Sequence, residues 1–202
     1  MITIVDYGIG NIGSMLNMFK HIGVEAIVES NPIIIRKAKK LVLPGVGSFD
    51  AAMNSINSIA GLREALDYKA LAERIPILGV CLGMQLLTLF SEEGKERGLG
   101  WIPSRTYRLP KHTSLKVPHM GWNVALPNKP NLLTKQLSYN SRFYFVHSYY
   151  VKVDDPAHSI MRTNYNIDFD SAIEKDNIYG VQFHPEKSHK NGMQILKNFS
   201  LI

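Results

Sequence analysis

Short apolar runs alternate with amphipathic segments in the first half of the chain, and this alternation predicts strands that are separated by helices. Ile2-Thr3-Ile4-Val5 predicts a buried strand, and the helical spacing that follows it extends through residues 14–21. Further strands are predicted over residues 25–28 and 41–43, and residues 50–73 carry a helical pattern. This order of elements indicates an α/β fold.

The second half of the chain has a different pattern. Between residues 98 and 153 it consists of short alternating segments rich in Pro, Tyr and Val, which predict antiparallel strands beside the main sheet. Residues 172–174 and 178–184 predict a hairpin, and residues 192–199 predict a short terminal helix. We therefore expect one domain over residues 1–202, with a mixed, mainly parallel central sheet flanked by helices and an additional small antiparallel sheet.

Composition bears on location and on partners. The chain has one cysteine, which excludes an internal disulfide and suits a reducing compartment. It has neither a signal-peptide pattern nor an apolar run of about 18 residues that could span a membrane, so we expect a cytoplasmic protein without a membrane partner. The net charge is +6, but the densest basic run, residues 36–40, is short and contains no aromatic residue. This run predicts a solvated surface, or a face that docks on an acidic partner, and no nucleic-acid partner.

An apolar strand-like run meets a helix-like run within residues 75–90, with almost no loop between them. Gly79-Val80-Cys81-Leu82-Gly83 is the G-x-nucleophile-x-G pattern, with sulfur in place of a serine oxygen. The glycines allow a sharp strand-to-helix turn that presents the thiol at the carboxyl end of a sheet, and the nearby helix N-terminus favours a thiolate. An isolated cysteine is more often a buried structural thiol, but the flanking glycines favour Cys81 as a nucleophile.

His184 and Glu186 follow a predicted strand, and residues i and i+2 of an extended segment face the same way. A carboxylate beside an imidazole fixes its tautomer and supports the imidazolium that forms when the imidazole takes the proton of a thiol. Cys81, His184 and Glu186 therefore form a candidate triad. The glycine-bearing loop over residues 44–49 and the N–H of Leu82 are candidate oxyanion donors. Apart from His184-x-Glu186, no histidine spacing suggests a metal, and we predict neither a metal nor a cofactor.

Another reading rests on Gly8, Gly10 and Gly13, which match the dinucleotide fingerprint G-x-G-x-x-G. Glu29 lies roughly where an acid that binds ribose would be sought. A nucleotide-binding module is therefore an alternative, although the fingerprint needs a larger doubly wound domain around it.

At these residues the sequence resembles the triad (class I) glutamine amidotransferases, and within that family the glutaminase subunits of imidazole glycerol phosphate synthase from histidine biosynthesis. The resemblance covers essentially the whole chain. The motifs that carry it are Asp6-Tyr7-Gly8-x-Gly10-Asn11, Pro44-Gly45-Val46-Gly47, Gly79-Val80-Cys81-Leu82-Gly83-Met84-Gln85, Pro118-His119-Met120-Gly121-Trp122-Asn123, His147-Ser148-Tyr149 and Gln182-Phe183-His184-Pro185-Glu186-Lys187-Ser188.

The resemblance implies a glutaminase reaction. Cys81 would attack the side-chain amide of glutamine, ammonia would leave, and water would hydrolyse the resulting thioester to glutamate. His184 would move the proton, and Glu186 would orient His184. The resemblance also implies an oxyanion hole at the backbone N–H groups of Val46 and Leu82, and a substrate site formed by Gly47, Gln85, Ser148 and Tyr149.

The resemblance further implies a partner, a cyclase subunit with a TIM-barrel fold that would form a heterodimer with this chain. The cyclase would use the ammonia to make imidazole glycerol phosphate and the aminoimidazole carboxamide ribonucleotide. The residues that match positions facing the cyclase are Asn11, Trp122, Tyr144 and Lys187.

Alternatives to this pathway stay open. Residues 11–21 are less polar than the resemblance implies for the first helix, and some relatives feed an enzyme that makes amidino sugars for surface polysaccharide. The same chemistry could serve another synthase, such as an anthranilate, pyridoxal phosphate or sugar amidotransferase. A stand-alone cysteine hydrolase or peptidase is a further alternative, which would act without a partner and would not need Gln85.

Overall fold

The computed structural model describes residues 1–111 and 116–202, in which strands and helices alternate first and strands predominate later. The strands are β1 (Ile2–Val5), β2 (Ala26–Glu29), β3 (Leu41–Gly45), β4 (Ile77–Cys81), β5 (Ser104–Arg108), β6 (His119–Val124), β7 (Leu126–Pro127), β8 (Arg142–His147), β9 (Tyr149–Val153), β10 (Ser159–Asn164), β11 (Asp168–Lys175) and β12 (Ile178–Val181). The α-helices are α1 (Ile12–His21), α2 (Pro32–Ile35), α3 (Phe49–Ser58), α4 (Leu62–Asp67), α5 (Leu82–Leu86) and α6 (His189–Leu201). A π-helical turn covers Tyr68–Ala72, and short 3₁₀ turns cover Pro156–His158 and Pro185–Lys187.

The main sheet of this described part has a parallel and an antiparallel region. Strands β2, β1, β3, β4 and β12 lie side by side in that order and are parallel. Beyond β12 the pairing is antiparallel, through β11, β10 and β7, while β9 pairs with β11 and β5 pairs with β9. Strands β6 and β8 form a separate antiparallel pair. The predicted α/β fold, with a mixed central sheet and an additional small antiparallel sheet, is confirmed.

Apolar side chains cover both faces of the sheet. Successive residues of a strand point to opposite faces, so Leu41 and Leu43 of β3 join one cluster with Phe49, whereas Val42 joins the other with Phe19. A strand that is buried on both faces is apolar at almost every position, which explains the nearly continuous apolar runs in the sequence.

Strands β3, β4 and β12 end at the same edge of the sheet. Gly45 at the end of β3 is paired with Cys81 at the end of β4, and Val181 at the end of β12 is paired with Val80. Ligands of open α/β sheets bind at the carboxyl ends of the strands. The topology therefore brings together the glycine loop, the cysteine turn and the His184 segment, which are far apart in the chain.

The predicted strands and the hairpin are confirmed, with boundaries that shift by a few residues. The helical pattern predicted over residues 50–73 is confirmed, and it is divided into α3, α4 and the π-helical turn. Helix α3 ends where Ile59 becomes extended, and Gly61 precedes α4 at φ +79°, a left-handed conformation that glycine adopts without strain.

Helix α2 and the full length of α6 were not predicted. Helix α2 has only one turn, and its signals are Pro32 in the first turn and the cap Asn31, whose Oδ1 accepts a hydrogen bond from the Ile33 N–H at 2.9 Å. Helix α6 begins at His189 and not at Gly192, and the backbone of Gly192 lies against Pro185. None of the helices in the described residues combines the length and apolar character that a membrane span needs.

Candidate active site

Cys81 occupies a strained turn between a strand and a helix. It is the last residue of β4 and directly precedes α5, and its backbone has φ +54° and ψ −107°. A positive φ is uncommon for a residue with a side chain, and such a conformation costs about 1–3 kcal/mol. The surrounding packing must hold this turn in place, as expected for the predicted nucleophile turn.

A side chain would not fit at Gly79 or Gly83, the two glycines that flank the Cys81 turn. A Cβ atom on Gly83 would lie 1.8 Å from the carbonyl oxygen of Leu43, and a Cβ atom on Gly79 would lie 2.6 Å from the carbonyl oxygen of Gly83. Real Cβ atoms essentially never approach a neighbour closer than 3.0 Å. Helix α5 therefore rests directly on β3 and β4, which fixes the position of Cys81.

His184 and Glu186 are buried side by side after β12. His184 Nδ1 lies 2.8 Å from Glu186 Oε1, and both side chains are almost fully buried. Because a carboxylate accepts, the imidazole donates its Nδ1–H to Glu186, and Nε2 is left to face the nucleophile. Within the described part of the chain, His184 Nε2 has no hydrogen-bond partner.

The charges around His184 favour its protonated form. Burial lowers the pKa of His184, but the negative charge of Cys81 and the contact with Glu186 outweigh this effect and raise the pKa to about 10. The raised pKa favours the protonated imidazole, in which Nδ1–H is held by Glu186 and Nε2 carries the proton that catalysis moves. A thiol, an imidazole and a carboxylate in this order are suited to nucleophilic catalysis.

A cavity of about 330 Å³ opens beside Cys81. Its lining includes every residue that the sequence predicted for the oxyanion hole and the substrate site, namely Val46, Gly47, Leu82, Gln85, Ser148 and Tyr149. Glu93, Pro118, Val146 and His147 also line it, and these residues were not predicted. His184 and Glu186 do not line the cavity and lie buried in the protein.

Gln85 and Gln182 connect the cavity wall to the nucleophile. Gln85 Nε2 donates to the carbonyl oxygen of Tyr149 at 3.2 Å and to Gln182 Oε1 at 3.4 Å. Gln182 Nε2 in turn donates to Cys81 Sγ at 3.7 Å. Gln182 was missed in the sequence, where its signal is a single amide within the apolar run from Val181 to Phe183.

Glu93 is a second functional candidate that the sequence analysis missed. Its Oε2 accepts a hydrogen bond from the Phe49 N–H at 2.9 Å, and it contributes a carboxylate to the cavity. Burial raises the pKa of Glu93, the bond from Phe49 opposes this rise, and the charge of Asp50 adds to it. Glu93 lies in the charged segment 91–97, which carried no signal beyond that of a surface connection.

The end of β3, where the glycine loop begins, is packed on Tyr7. The buried Tyr7 hydroxyl donates a hydrogen bond to the carbonyl oxygen of Pro44. A Cβ atom on Gly45 would lie 2.7 Å from the Tyr7 hydroxyl oxygen and 2.9 Å from Leu82 Cβ, so only glycine fits there. Val46 is exposed, and Gly47 has φ +114°. One end of the loop is thus held firmly, and its other end reaches the surface.

The residues predicted to face a partner lie outside the cavity. Trp122 and Tyr144 are neighbours on β6 and β8, with ring centroids 6.2 Å apart, and Lys187 Nζ lies 5.8 Å from the centre of the Tyr144 ring. Asn11 caps α1, where its Oδ1 accepts from the Ser14 N–H at 3.4 Å, and α1 packs against the 3₁₀ turn that contains Lys187.

The nucleotide-binding alternative gains no support from Glu29. Its Oε1 accepts hydrogen bonds from the N–H groups of Ser30 at 2.9 Å and Asn31 at 2.7 Å, so the carboxylate is used within its own loop. Among residues 1–111 and 116–202, no cluster of three or more His, Cys, Asp or Glu side chains could hold a metal ion.

Comparison with known proteins gives a consistent result. A family model described as "Glutamine amidotransferase class-I" matches residues 3–202. The chain is 52% identical over 199 residues to "Imidazole glycerol phosphate synthase subunit HisH 2" of Methanococcus maripaludis, covering 98% of each chain. It is 48% identical over 199 residues to a protein of the same name from Pseudomonas aeruginosa, again covering 98% of each.

Solved structures show the same fold at low sequence identity. A structure described as PurLQS from Thermotoga maritima matches with a TM-score of 0.76 and 14% identity, covering 98% of this chain and 96% of the other. Another, described as a glutamine amidotransferase, matches with a TM-score of 0.73 and 14% identity, covering 98% of this chain and 97% of the other.

Proposed function

The chain belongs to the class-I glutamine amidotransferase family, and from this premise we propose that it is the glutaminase subunit of an imidazole glycerol phosphate synthase. The observation that carries the proposal is Cys81, held in a strained turn at a cavity, with the His184–Glu186 pair acting on it. Identity of 43–52% over the whole chain to several subunits of that synthase supports the pathway.

The reaction follows from the order of the three groups. Cys81 gives its proton to Nε2 of His184 and attacks the side-chain amide carbon of glutamine, and the oxyanion that forms accepts hydrogen bonds from the N–H groups of Val46 and Leu82. His184 then gives its Nε2 proton to the leaving amide nitrogen, which departs as ammonia, while its Nδ1–H stays hydrogen-bonded to Glu186. Neutral His184 next takes a proton from water, which attacks the thioester carbon; the carbon–sulfur bond breaks, Cys81 takes the proton back from His184, and glutamate is released.

Polar groups of the cavity hold the glutamine. The cavity wall is formed by Gly47, Gln85, Ser148 and Tyr149. We propose that the α-ammonium group of glutamine pairs with the carboxylate of Glu93, which also lines the cavity. An ammonium group that leaves water for a cavity needs a carboxylate or several acceptors, and Glu93 is the acidic residue among the cavity-lining residues of the described chain.

Replacing Glu93 with glutamine will raise the KM for glutamine by about tenfold and change kcat little. The amide keeps the acceptor for the Phe49 N–H but removes the charge that pairs with the α-ammonium, and a hydrogen bond to a charged group contributes about 1.5–3 kcal/mol. Steady-state kinetics with glutamine, and with an analogue that lacks the α-amino group, test this assignment. If the variant loses as much activity toward the analogue as toward glutamine, Glu93 does not bind the ammonium.

Replacing His184 with asparagine will cost more activity than replacing Glu186 with glutamine, by roughly tenfold or more in kcat. The first change removes the group that transfers the proton. The second leaves that group in place but removes the charge that orients it across 2.8 Å. The measurement is kcat for glutamine hydrolysis in the presence of the partner. Equal losses would mean that Glu186 itself transfers a proton.

As a synthase subunit, the chain works in a complex with a cyclase. We propose a heterodimer with a TIM-barrel cyclase that docks on Asn11, Trp122, Tyr144 and Lys187. Trp122 is 41% exposed and Met120, two residues earlier on β6, is 61% exposed, so this face presents apolar side chains that a partner would cover. We further propose a single domain over residues 1–202, a cytoplasmic location, and no contact with membranes or nucleic acid.

A second candidate is the same glutaminase chemistry feeding another synthase, such as one that makes an amidino sugar for surface polysaccharide. The relatives from M. maripaludis and P. aeruginosa both carry the number 2 in their names, and residues 11–21 are less polar than the resemblance implies.

Purification of the tagged chain from its own organism tests both candidates. The first predicts that a cyclase co-elutes and that the complex makes imidazole glycerol phosphate from glutamine and the cyclase substrate. Co-elution of a sugar amidotransferase, without formation of imidazole glycerol phosphate, would contradict the first candidate and support the second.

A further inference from the structure

Two buried histidines beside the cavity take no part in the reaction described above. His119 on β6 and His147 on β8 are register partners, and each is at most 5% exposed. His119 Nδ1 lies 2.9 Å from His147 Nε2, so the two rings share one hydrogen bond.

The direction of this hydrogen bond is determined by its surroundings. His147 Nδ1 lies 2.8 Å from the carbonyl oxygen of Tyr149, which only accepts, so Nδ1 carries the proton. In the neutral ring His147 Nε2 is then an acceptor, and His119 Nδ1–H donates to it. His119 Nε2 must therefore accept as well, and Asn123 Nδ2 lies 3.3 Å away.

The side-chain amide of Asn123 is itself oriented by two further contacts. Its Oδ1 accepts from the Val124 N–H at 2.8 Å, and its Nδ2 donates to the carbonyl oxygen of Asn164 at 2.9 Å. A chain of hydrogen bonds, in which each group donates to the next, thus leads from Asn123 through His119 and His147 to the carbonyl oxygen of Tyr149. Phe145 and Tyr165 stack on the His119 ring, with centroids 4.8 Å and 3.9 Å away, and hold its plane.

Both histidines are neutral. A second proton on either ring would point at another donor, and burial lowers the pKa of His119 to about 4 and that of His147 to about 3. Because both rings are neutral, only one arrangement of their hydrogens satisfies all of these contacts. The pair therefore holds β6 and the cavity wall in a fixed relative position.

The far end of this run is the Tyr149 carbonyl, which also accepts from Gln85 Nε2 at 3.2 Å. Gln85 in turn is bonded to Gln182, whose Nε2 contacts Cys81 Sγ. Tyr149 lines the cavity where we place the glutamine. Its carbonyl is therefore the junction between the nucleophile side and the histidine side of the site.

We propose that His119 and His147 are positioning residues, which hold the Tyr149 carbonyl and with it the glutamine-binding wall of Ser148 and Tyr149. The inference rests on the proposed function. His147 lines the cavity and His119 lies behind it, so the effect of the pair falls on the binding of glutamine more than on the chemical step.

A matched pair of substitutions separates positioning from packing. In His147→Asn the side-chain amide nitrogen lies near the place of Nδ1, so the donor to Tyr149 is kept and the acceptor for His119 is lost. In His147→Gln the amide lies near the place of Nε2, so the donor to Tyr149 is lost. We expect His147→Gln to raise the KM for glutamine by about tenfold, which corresponds to the loss of one hydrogen bond, and to change kcat less than threefold. The increase for His147→Asn will be at least threefold smaller.

The measurements are KM and kcat of the complex with its synthase partner, and the Kd for glutamine by calorimetry in a Cys81→Ala background. The Kd does not depend on turnover, so it tests the inference even if the proposed pathway fails. His119→Phe, which keeps the ring stacking and loses both nitrogens, serves if His147→Gln does not fold, and it too should raise the Kd. Equal increases for the asparagine and glutamine variants, or no increase in either, would overturn the proposal.

Discussion

Replacing Cys81 with serine will lower glutamine hydrolysis by at least about 10⁴-fold, while the synthase complex still forms its product from free ammonia. An ionised Cys81 raises the pKa of His184, and a serine hydroxyl does not ionise in the same range. The variant therefore loses the nucleophile and one of the two groups that favour a protonated His184. In the proposed complex the cyclase closes the ring, so we expect free ammonia to replace the ammonia that the chain would make from glutamine.

The ammonia-dependent reaction is the control within the same sample, because it shows that the variant folds and docks on its partner. Glutamate release from glutamine is the measured quantity. Hydrolysis within tenfold of the wild-type rate would mean that Cys81 is not the nucleophile.

Binding of the synthase partner will raise kcat for glutamine hydrolysis by about 10²–10³-fold and change KM far less. One N–H of an oxyanion hole typically contributes this much to kcat, because it stabilises the charge that develops in the transition state and contributes little to substrate binding. The isolated chain will therefore hydrolyse glutamine slowly.

The glycine loop after β3 is the structural reason for this expectation. The Tyr7 hydroxyl holds the Pro44 carbonyl, whereas Val46 beyond Gly45 is exposed. Because Gly45 has no side chain, the Gly45–Val46 peptide can turn about it at low cost, and only one orientation aims the Val46 N–H at the oxyanion. A partner that binds that orientation better will shift the loop toward it.

Steady-state kinetics will separate the effects on kcat and KM. The samples are the chain alone, the chain with the partner, and the chain with the partner plus an analogue of the partner's acceptor. The Cys81→Ser chain, mixed at the same concentrations, gives the background. An isolated chain that already turns over at the rate of the complex would refute gating by the loop. A change confined to KM would mean that the partner completes the glutamine site.

Much of the fold could be predicted because its parallel strands are short apolar runs bounded by helical spacing. Helix α2 escaped prediction because one turn of helix has no periodicity to detect. The division of residues 50–73 depends on Gly61, and a single glycine within a helical pattern does not show whether its φ will be positive.

The candidate triad could be predicted because its members lie in local motifs, a glycine-flanked turn and an i, i+2 pair. Glu93, Gln182 and the pair His119–His147 belong to the site through contacts between distant segments, and no local pattern records those contacts. The glycines at 79 and 83 were expected to permit a sharp turn. The structure adds that they are sites of close packing against Leu43 and within the turn itself.

The central claim is that Cys81 attacks the side-chain amide carbon of glutamine. A glutamine analogue with a diazoketone in place of the amide, added to the complex and followed by peptide mass spectrometry, reports the attacking atom directly. We predict one label per chain on the peptide that contains Cys81, protection by glutamine, loss of glutaminase activity in proportion to labelling, and retention of the ammonia-dependent reaction. Full glutaminase activity in a completely labelled protein, or inactivation with the label on a residue other than Cys81, would contradict the account.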